Sequence, residues 1–182
     1  MRPITVTVGP LAAASANNIA TSQTVTGAAN VTLNGSLVTG GVAYLDKPRQ
    51  ILITDVGNDS GITFTITGTD RYGAALSQTL TGTNASTVAT TVDFLTVTSI
   101  KTSGSTSASG ITVGTNSVAG SNWVRFDEFC PPSIAIQCNV SGTVNYTVQA
   151  TLDDPNSPTN PVSITNVTWL PSSDVNVVGA SS

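Results

Sequence analysis

The stretch TFTITGTDRYGAALSQTLTG, Thr63 to Gly82, carries the signal that decides the fold. Together with the residue before it, Ile62, Phe64 and Ile66 fall on one parity, and Thr63, Thr65 and Thr67 fall on the other. Period-two alternation of this kind describes a strand with one buried and one wet face. The run stops at Gly68 and resumes at Leu76 and Leu80. Between the two lies a loop, Thr69 to Gly73, in which Asp70 serves as turn former and Gly73 takes positive φ without steric cost. The stretch is predicted as a β-hairpin with Arg71 and Tyr72 projecting from its tip. Both are residue types enriched at protein interfaces.

The same alternation recurs outward from this hairpin. In TVNYTVQATL, Val144, Tyr146, Val148, Ala150 and Leu152 share a face, opposite Thr143, Asn145, Thr147, Gln149 and Thr151. Further strands are predicted at Ile4 to Val8, Gln23 to Thr26, Val31 to Asn34, Val42 to Leu45 and Gln50 to Asp55. Others follow at Phe94 to Lys101, Ile111 to Val113, Trp123 to Phe126 and Ile164 to Trp169. Turn clusters such as NGS, TGG, GNDSG and SGSTSASG separate them. The prolines of DDPNSPTNP, Asp153 to Pro161, make that segment a loop. GPLAAASANN has room for a helical turn but lacks an apolar stripe. The fold expected is all-β: an antiparallel β-sandwich or jelly-roll-like barrel with an extended N-terminal arm. Residues 1–45 are the least apolar and are expected as strands of an arm that packs on a neighbour. Residues 46–182 are expected as the sandwich core with a short C-terminal tail.

Composition narrows the function. Only 9% of the residues are charged, and Lys47, Lys101 and Glu128 are the only lysines and glutamate. Helix-forming surface residues are therefore scarce, and β-branched threonine dominates the polar positions. The net charge is −4, and Arg2, Lys47, Arg49, Arg71, Lys101 and Arg125 are scattered singly. Nucleic-acid and anionic-membrane binding both need clustered positive charge, so neither partner is expected. No run is long enough to form a membrane-spanning helix. Cys130 and Cys138 are read as two thiols, with Cys138 on the core-facing parity of Ile134, Ile136 and Val140.

The chain contains no histidine. That removes Ser-His-Asp and Cys-His nucleophile arrangements and histidine-based metal sites. Adjacent Asp127 and Glu128 point to opposite faces if they lie in a strand, so they do not form a glycosidase-type pair. No catalytic residue and no cofactor are expected. Calcium is the metal the loops suit best, with oxygen ligands at Asp55 and Asp59 around GNDSG and at Asp153 and Asp154 in LDDPN. Neither segment has the EF-hand spacing, and Asx residues in turns ordinarily bond their own backbone, so turn chemistry is the preferred reading. Trp123 and Trp169 suit core edges better than ligand platforms. Trp123 and Arg125 share a parity and, with Arg71 and Tyr72, make up the expected protein-contact set.

Taken in order, GNDSGITFTITGTDRYGAALSQTLTG, DFLTVTSI, ITVGT, SNWVRFDEF and SGTVNYTVQATLDDP resemble a family of small β-rich phage and prophage proteins of the virion structural class. The likeness spans Pro48 to Pro155, with ITGTDRYG and SGTVNYTVQ its most specific elements. It carries over no catalytic residue. It implies a component of the virion: a capsid decoration protein, or else part of the neck, tail or fibre. It also implies self-association as a symmetric oligomer, a trimer being favoured, on the major capsid protein or another virion protein. Members of that family continue with a further strand pair, so the last strands are expected to be absent or supplied by a neighbour. A carbohydrate- or receptor-binding module is the alternative of another class, with Trp123, Trp169 or Tyr72 as stacking surface.

Overall fold

The computed structural model describes residues 4–125, 139, 143–155, 157–171 and 177–180. The chain divides into two units, Met1–Val124 and Arg125–Ser182. Both are built from antiparallel strands, and the described residues contain no α-helix. The predictions for Asp127, Glu128, Cys130 and Cys138 lie outside the described residues.

The first unit holds β1 (Ser15–Gln23), β2 (Val38–Thr39), β3 (Val42–Asp55), β4 (Thr63–Thr69), β5 (Ala75–Thr81), β6 (Thr87–Ala89), β7 (Phe94–Thr102) and β8 (Ile111–Ala119). The strand order is β1-β8-β3-β7-β4-β5, with β2 and β6 added along β3. The hairpin read from the alternation is present: β4 pairs β5 without a slip from Thr63↔Thr81 to Thr69↔Ala75. Phe64 and Ile66 are fully buried, and Leu76 and Leu80 nearly so. On the opposite parity, threonine hydroxyls meet across strands, Thr65 with Thr79 at 3.0 Å and Thr69 with Thr96 at 2.7 Å. Such pairs support a sheet's wet face without charge, which is what a threonine-rich composition supplies.

The longest element differs from the prediction. Val42 to Leu45 and Gln50 to Asp55 were expected as separate strands, yet β3 runs through Pro48 without a break. Ala43 and Tyr44 pair with β7, and Arg49 pairs with both Phe94 of β7 and Ala119 of β8. Beyond it, Ile51 to Asp55 pair with β8, and Leu52 to Thr54 with β6. Register slips flank Arg49 on both sides. Irregularities of this kind bend a strand and accommodate a proline that has no amide to donate. One strand is thus shared by two sheet halves, β2-β3-β7-β4-β5 and β1-β8-β3-β6. The core consists of Ile19 and Ala20 of β1, Ile51 and Ile53 of β3, Phe64 and Ile66 of β4, Phe94, Val97 and Ile100 of β7, and Ile111 and Val113 of β8. Burying each large member contributes about 1.5–3 kcal/mol.

The N-terminal region also departs from expectation. Ser15–Gln23 pairs with β8 of its own chain, and Ile19, Ala20, Val25 and Val31 are core residues. Residues 15–45 therefore belong to this unit's own sheet and core. Their apolar positions are sparse, but Ile19, Ala20, Val25, Val31, Ala43 and Leu45 are all buried. Ile4 to Val8 is not a strand, and Ile4 is 67% exposed. Nor is Val31 to Asn34, where Val31 donates its amide to Ile100 O at 2.8 Å. The alanine run of GPLAAASANN leads straight into β1 and forms no helical turn.

The second unit contains two small ribbons, β9 (Thr143–Tyr146) with β12 (Val177–Ala180), and β10 (Gln149–Ala150) with β11 (Leu170–Pro171). TVNYTVQATL is thus divided between two partners, and Leu152 of its predicted buried face is 96% exposed. Ile164 to Trp169 is not a strand; it opens with a 3₁₀ turn, Ile164–Asn166. The loop Asp153 to Pro161 is present, closed by the Ser157 and Val162 amides donating to Asp154 O.

Arg49 ties the first unit together. Its side chain is 1% exposed, and Nε lies 3.0 Å from Asp46 Oδ1. Its Nη1 donates to Asn116 O at 3.1 Å and its Nη2 to Ala12 O. Arg49→Ala should lower unfolding free energy in urea by about 3 kcal/mol or more, because it strands these acceptors and a partly buried carboxylate. Arg49→Lys should recover little of the loss, since an ammonium lacks the fork that reaches several acceptors at once.

Candidate functional site

The tip of the β4–β5 hairpin is built as its sequence dictates, up to a point. Asp70 is buried, and its Oδ1 accepts the amides of Tyr72 at 2.8 Å and Ala74 at 2.9 Å. Gly73 sits at φ +82°, a conformation that side-chain-bearing residues rarely adopt. The turn closes when Asp70 donates its amide to Ala74 O and Gly73 donates to Asp70 O.

Arg71 does not project from the tip. Its side chain is 7% exposed and folds back, with Nη2 3.0 Å from Asp93 Oδ2. The guanidinium carbon lies 5.1 Å from the centroid of the Trp123 ring, a cation–π distance. Gly120 fits beside this pair because a Cβ there would stand 2.3 Å from Asp93 Oδ2 and 2.8 Å from Arg71 Nη2. The alternation that placed Arg71 at an exposed tip held no information about Asp93, which arrives from the segment before β7.

Tyr72 remains 47% exposed, and its hydroxyl is fixed. It accepts the Trp123 amide at 2.8 Å and donates to Trp123 O at 3.3 Å. The two rings meet edge to face, with centroids 6.3 Å apart and planes at 80°. Three of the four predicted contact residues, Arg71, Tyr72 and Trp123, therefore converge, and sequence reasoning missed Asp93 and Gly120. Trp123–Arg125 is not a strand, contrary to expectation. In the second unit, Arg125 pairs with Asp154 at 2.6 Å on an exposed side chain.

The calcium candidates separate into two groups. Asp153 and Asp154 act as loop braces: Asp153 Oδ2 accepts the Thr168 amide at 2.7 Å, and Asp154 holds Arg125. Asp55 and Asp59 are each 1% exposed, at the end of β3 and in the loop after it. Thr83 donates its amide and hydroxyl to Asp55 Oδ2 at 2.5 and 2.8 Å. Asp59 Oδ1 accepts the Ser107 amide at 2.6 Å.

Burial raises the Asp93 carboxyl above its ordinary value, and the pull of Arg71 and of the Gly120 amide only partly offsets it. Burial likewise raises Asp55; the Thr83 hydrogen bonds pull it down and the Asp59 charge pushes it further up. For both groups the folded chain holds a proton more tightly than the unfolded chain. Their contribution to stability is therefore complete below the ordinary carboxylate range and is lost as pH rises through the raised values. The melting temperature should therefore increase as pH falls from neutral toward the ordinary carboxylate range. Asp93→Asn should flatten that slope in a thermal-shift series across the same range.

No family model, curated protein or solved structure matches the chain.

Proposed function

We propose that the chain is a structural component of a phage virion: a capsid decoration protein that assembles as a symmetric oligomer, a trimer, on the major capsid protein. The observation that carries this reading is the free edge of β5. It is the terminal strand of the sheet, and Ala75–Thr81 contains no charged residue. Among the described residues its outer edge has no strand partner. Proteins that must not associate guard such edges with lysine, proline or bulges; an unguarded edge suits strand addition by a partner. The charged side chains of this unit support the same reading. Arg49, Asp55, Asp59, Asp70, Arg71 and Asp93 turn inward to hold loops, leaving hydroxyl-rich outer surfaces suited to close contact. Tyr72, held by Trp123 and backed by the Arg71–Asp93 pair, offers a rigid aromatic contact beside the hairpin tip.

Quantified gels of purified virions should show this protein in proportion to the major capsid protein. A copy number matching a single ring or sleeve would move it to the neck or tail, and absence from washed particles would overturn the reading. Ser77→Lys with Thr79→Lys, both exposed on β5, should lower the melting temperature only slightly, by the loss of the Thr65–Thr79 and Ser77–Ile66 hydroxyl contacts. The same pair should weaken binding to heads lacking the protein by about tenfold or more, equivalent to about 1.4 kcal/mol.

A second reading, a carbohydrate- or receptor-binding module, rests on the exposed Tyr72 beside Trp123. Glycan-array binding that disappears in Tyr72→Ala would favour it over the scaffold reading.

A further inference from the structure

Three loops meet at one end of the first unit. Asp55 closes β3 and donates its amide to Ser86 O at 2.9 Å. The following loop is stitched to residues 83–85: Asp59 donates its amide to Thr83 O at 2.8 Å, and Ala85 donates to Gly57 O at 2.7 Å. Val56 donates to Gly110 O at 3.2 Å, which brings in the third loop, before β8. The stitches bring Asp55, whose carboxylate takes Thr83, and Asp59, whose carboxylate takes Ser107, into one knot, both almost wholly removed from solvent and near enough for the Asp59 charge to act on the Asp55 carboxyl.

The polar partners are unevenly distributed. Asp59 is satisfied on both oxygens, by the Ser107 amide at 2.6 Å and the Ser107 hydroxyl at 3.3 Å. Asp55 Oδ2 takes both donors of Thr83. Asp55 Oδ1 is buried and has no hydrogen-bond partner. Neither carboxylate is in an ion pair; the pairs among the described residues are Arg49–Asp46, Arg71–Asp93 and Arg125–Asp154. Two buried acids in one knot of loops, with no cationic partner among the described residues, are costly unless something positive joins them.

We propose that this knot binds a calcium-type divalent cation, with Asp55 Oδ1 as its anchoring ligand and Asp59 as the second carboxylate. Every donor at hand is an oxygen: the two carboxylates, the hydroxyls of Thr83 and Ser107, and loop carbonyls. An all-oxygen set on loops selects a hard, large cation over zinc or copper, which favour nitrogen and sulfur. Only two carboxylates take part, and no third acidic, histidine or cysteine side chain joins them among the described residues. Neutral oxygens and water complete the shell, which places affinity in the weak range of extracellular calcium modules.

The test uses the full chain, stripped with chelator and titrated with calcium chloride at fixed ionic strength, with magnesium chloride as the comparison. A saturable rise in melting temperature of several degrees with calcium, smaller with magnesium, is expected from preferential binding to the folded state. The rise should be lost in Asp55→Asn and retained in Asp154→Asn, whose carboxylate braces the other unit. Calorimetric titration of the unmodified chain provides a readout that does not depend on the variant folding. Absence of calcium heat and of any melting shift overturns the proposal. A calcium response that survives Asp55→Asn in a folded variant also overturns it, because the cation then sits elsewhere.

Discussion

The first unit depends on a buried cation placed in the middle of its longest strand. Arg49 lies on the same parity as Ala43, Leu45, Ile51 and Ile53, so strand geometry turns it toward the interior. An isolated guanidinium there would be strongly disfavoured. It is tolerated because Asp46 and the carbonyls of Ala12 and Asn116 converge on it. This is also where β3 passes from pairing with β7 to pairing with β8. The charge therefore fixes the crossing point of the two sheet halves. Apolar residues would fill the same space but would not specify which carbonyls must meet there.

The remaining polar groups follow the same logic. Thr90 accepts the Ile51 amide at 2.9 Å and donates to Val92 O at 2.8 Å, which anchors the segment after β6 to the core strand. The Thr102 hydroxyl accepts the Ala29 amide and has the carbonyls of Gly27 and Ala29 within reach of its one proton, holding the segment after β1. Asp55, Asp59 and Asp70 perform similar work on loops. A chain with few charges and many hydroxyls thus satisfies its irregular backbone with short side chains that sacrifice little rotamer entropy. The cost is borne by the buried carboxylates. Burial raises the carboxyls of both Asp55 and Asp93 above their ordinary value.

Legibility from sequence varied with the range of the interactions involved. The hairpin was readable because its determinants are local: alternation sets the faces, Asp70 supplies the acceptor for the turn, and Gly73 supplies positive φ. The same alternation failed at Ile4 to Val8 and in TVNYTVQATL, because it states which face is apolar but not whether a partner strand is near. Val42 to Leu45 and Gln50 to Asp55 were expected as separate strands, and Pro48 lies between them, where a missing amide would be costly inside a regular ladder. The slips around Arg49 put Pro48 where the ladder is already interrupted. Of the candidate site, Arg71, Tyr72 and Trp123 were named in advance. Asp93 and Gly120, the residues that turn Arg71 inward, were not, because they are distant in the chain and have no periodic signature.

By itself, then, the sequence determined an all-β antiparallel fold, the β4–β5 hairpin, and a chain without histidine chemistry, because side-chain period, turn residues and composition act within a few positions. Tertiary structure decided that β3 is one strand shared by two sheet halves. It decided that Ile19, Ala20, Val25 and Val31 enter their own unit's core and that Arg71 lies inside an ion pair beneath Trp123. It also decided that Asp55 and Asp59 share a buried knot. Each of these depends on which distant groups come within hydrogen-bonding distance, and a buried charge or unpaired backbone group is tolerated only where such partners arrive.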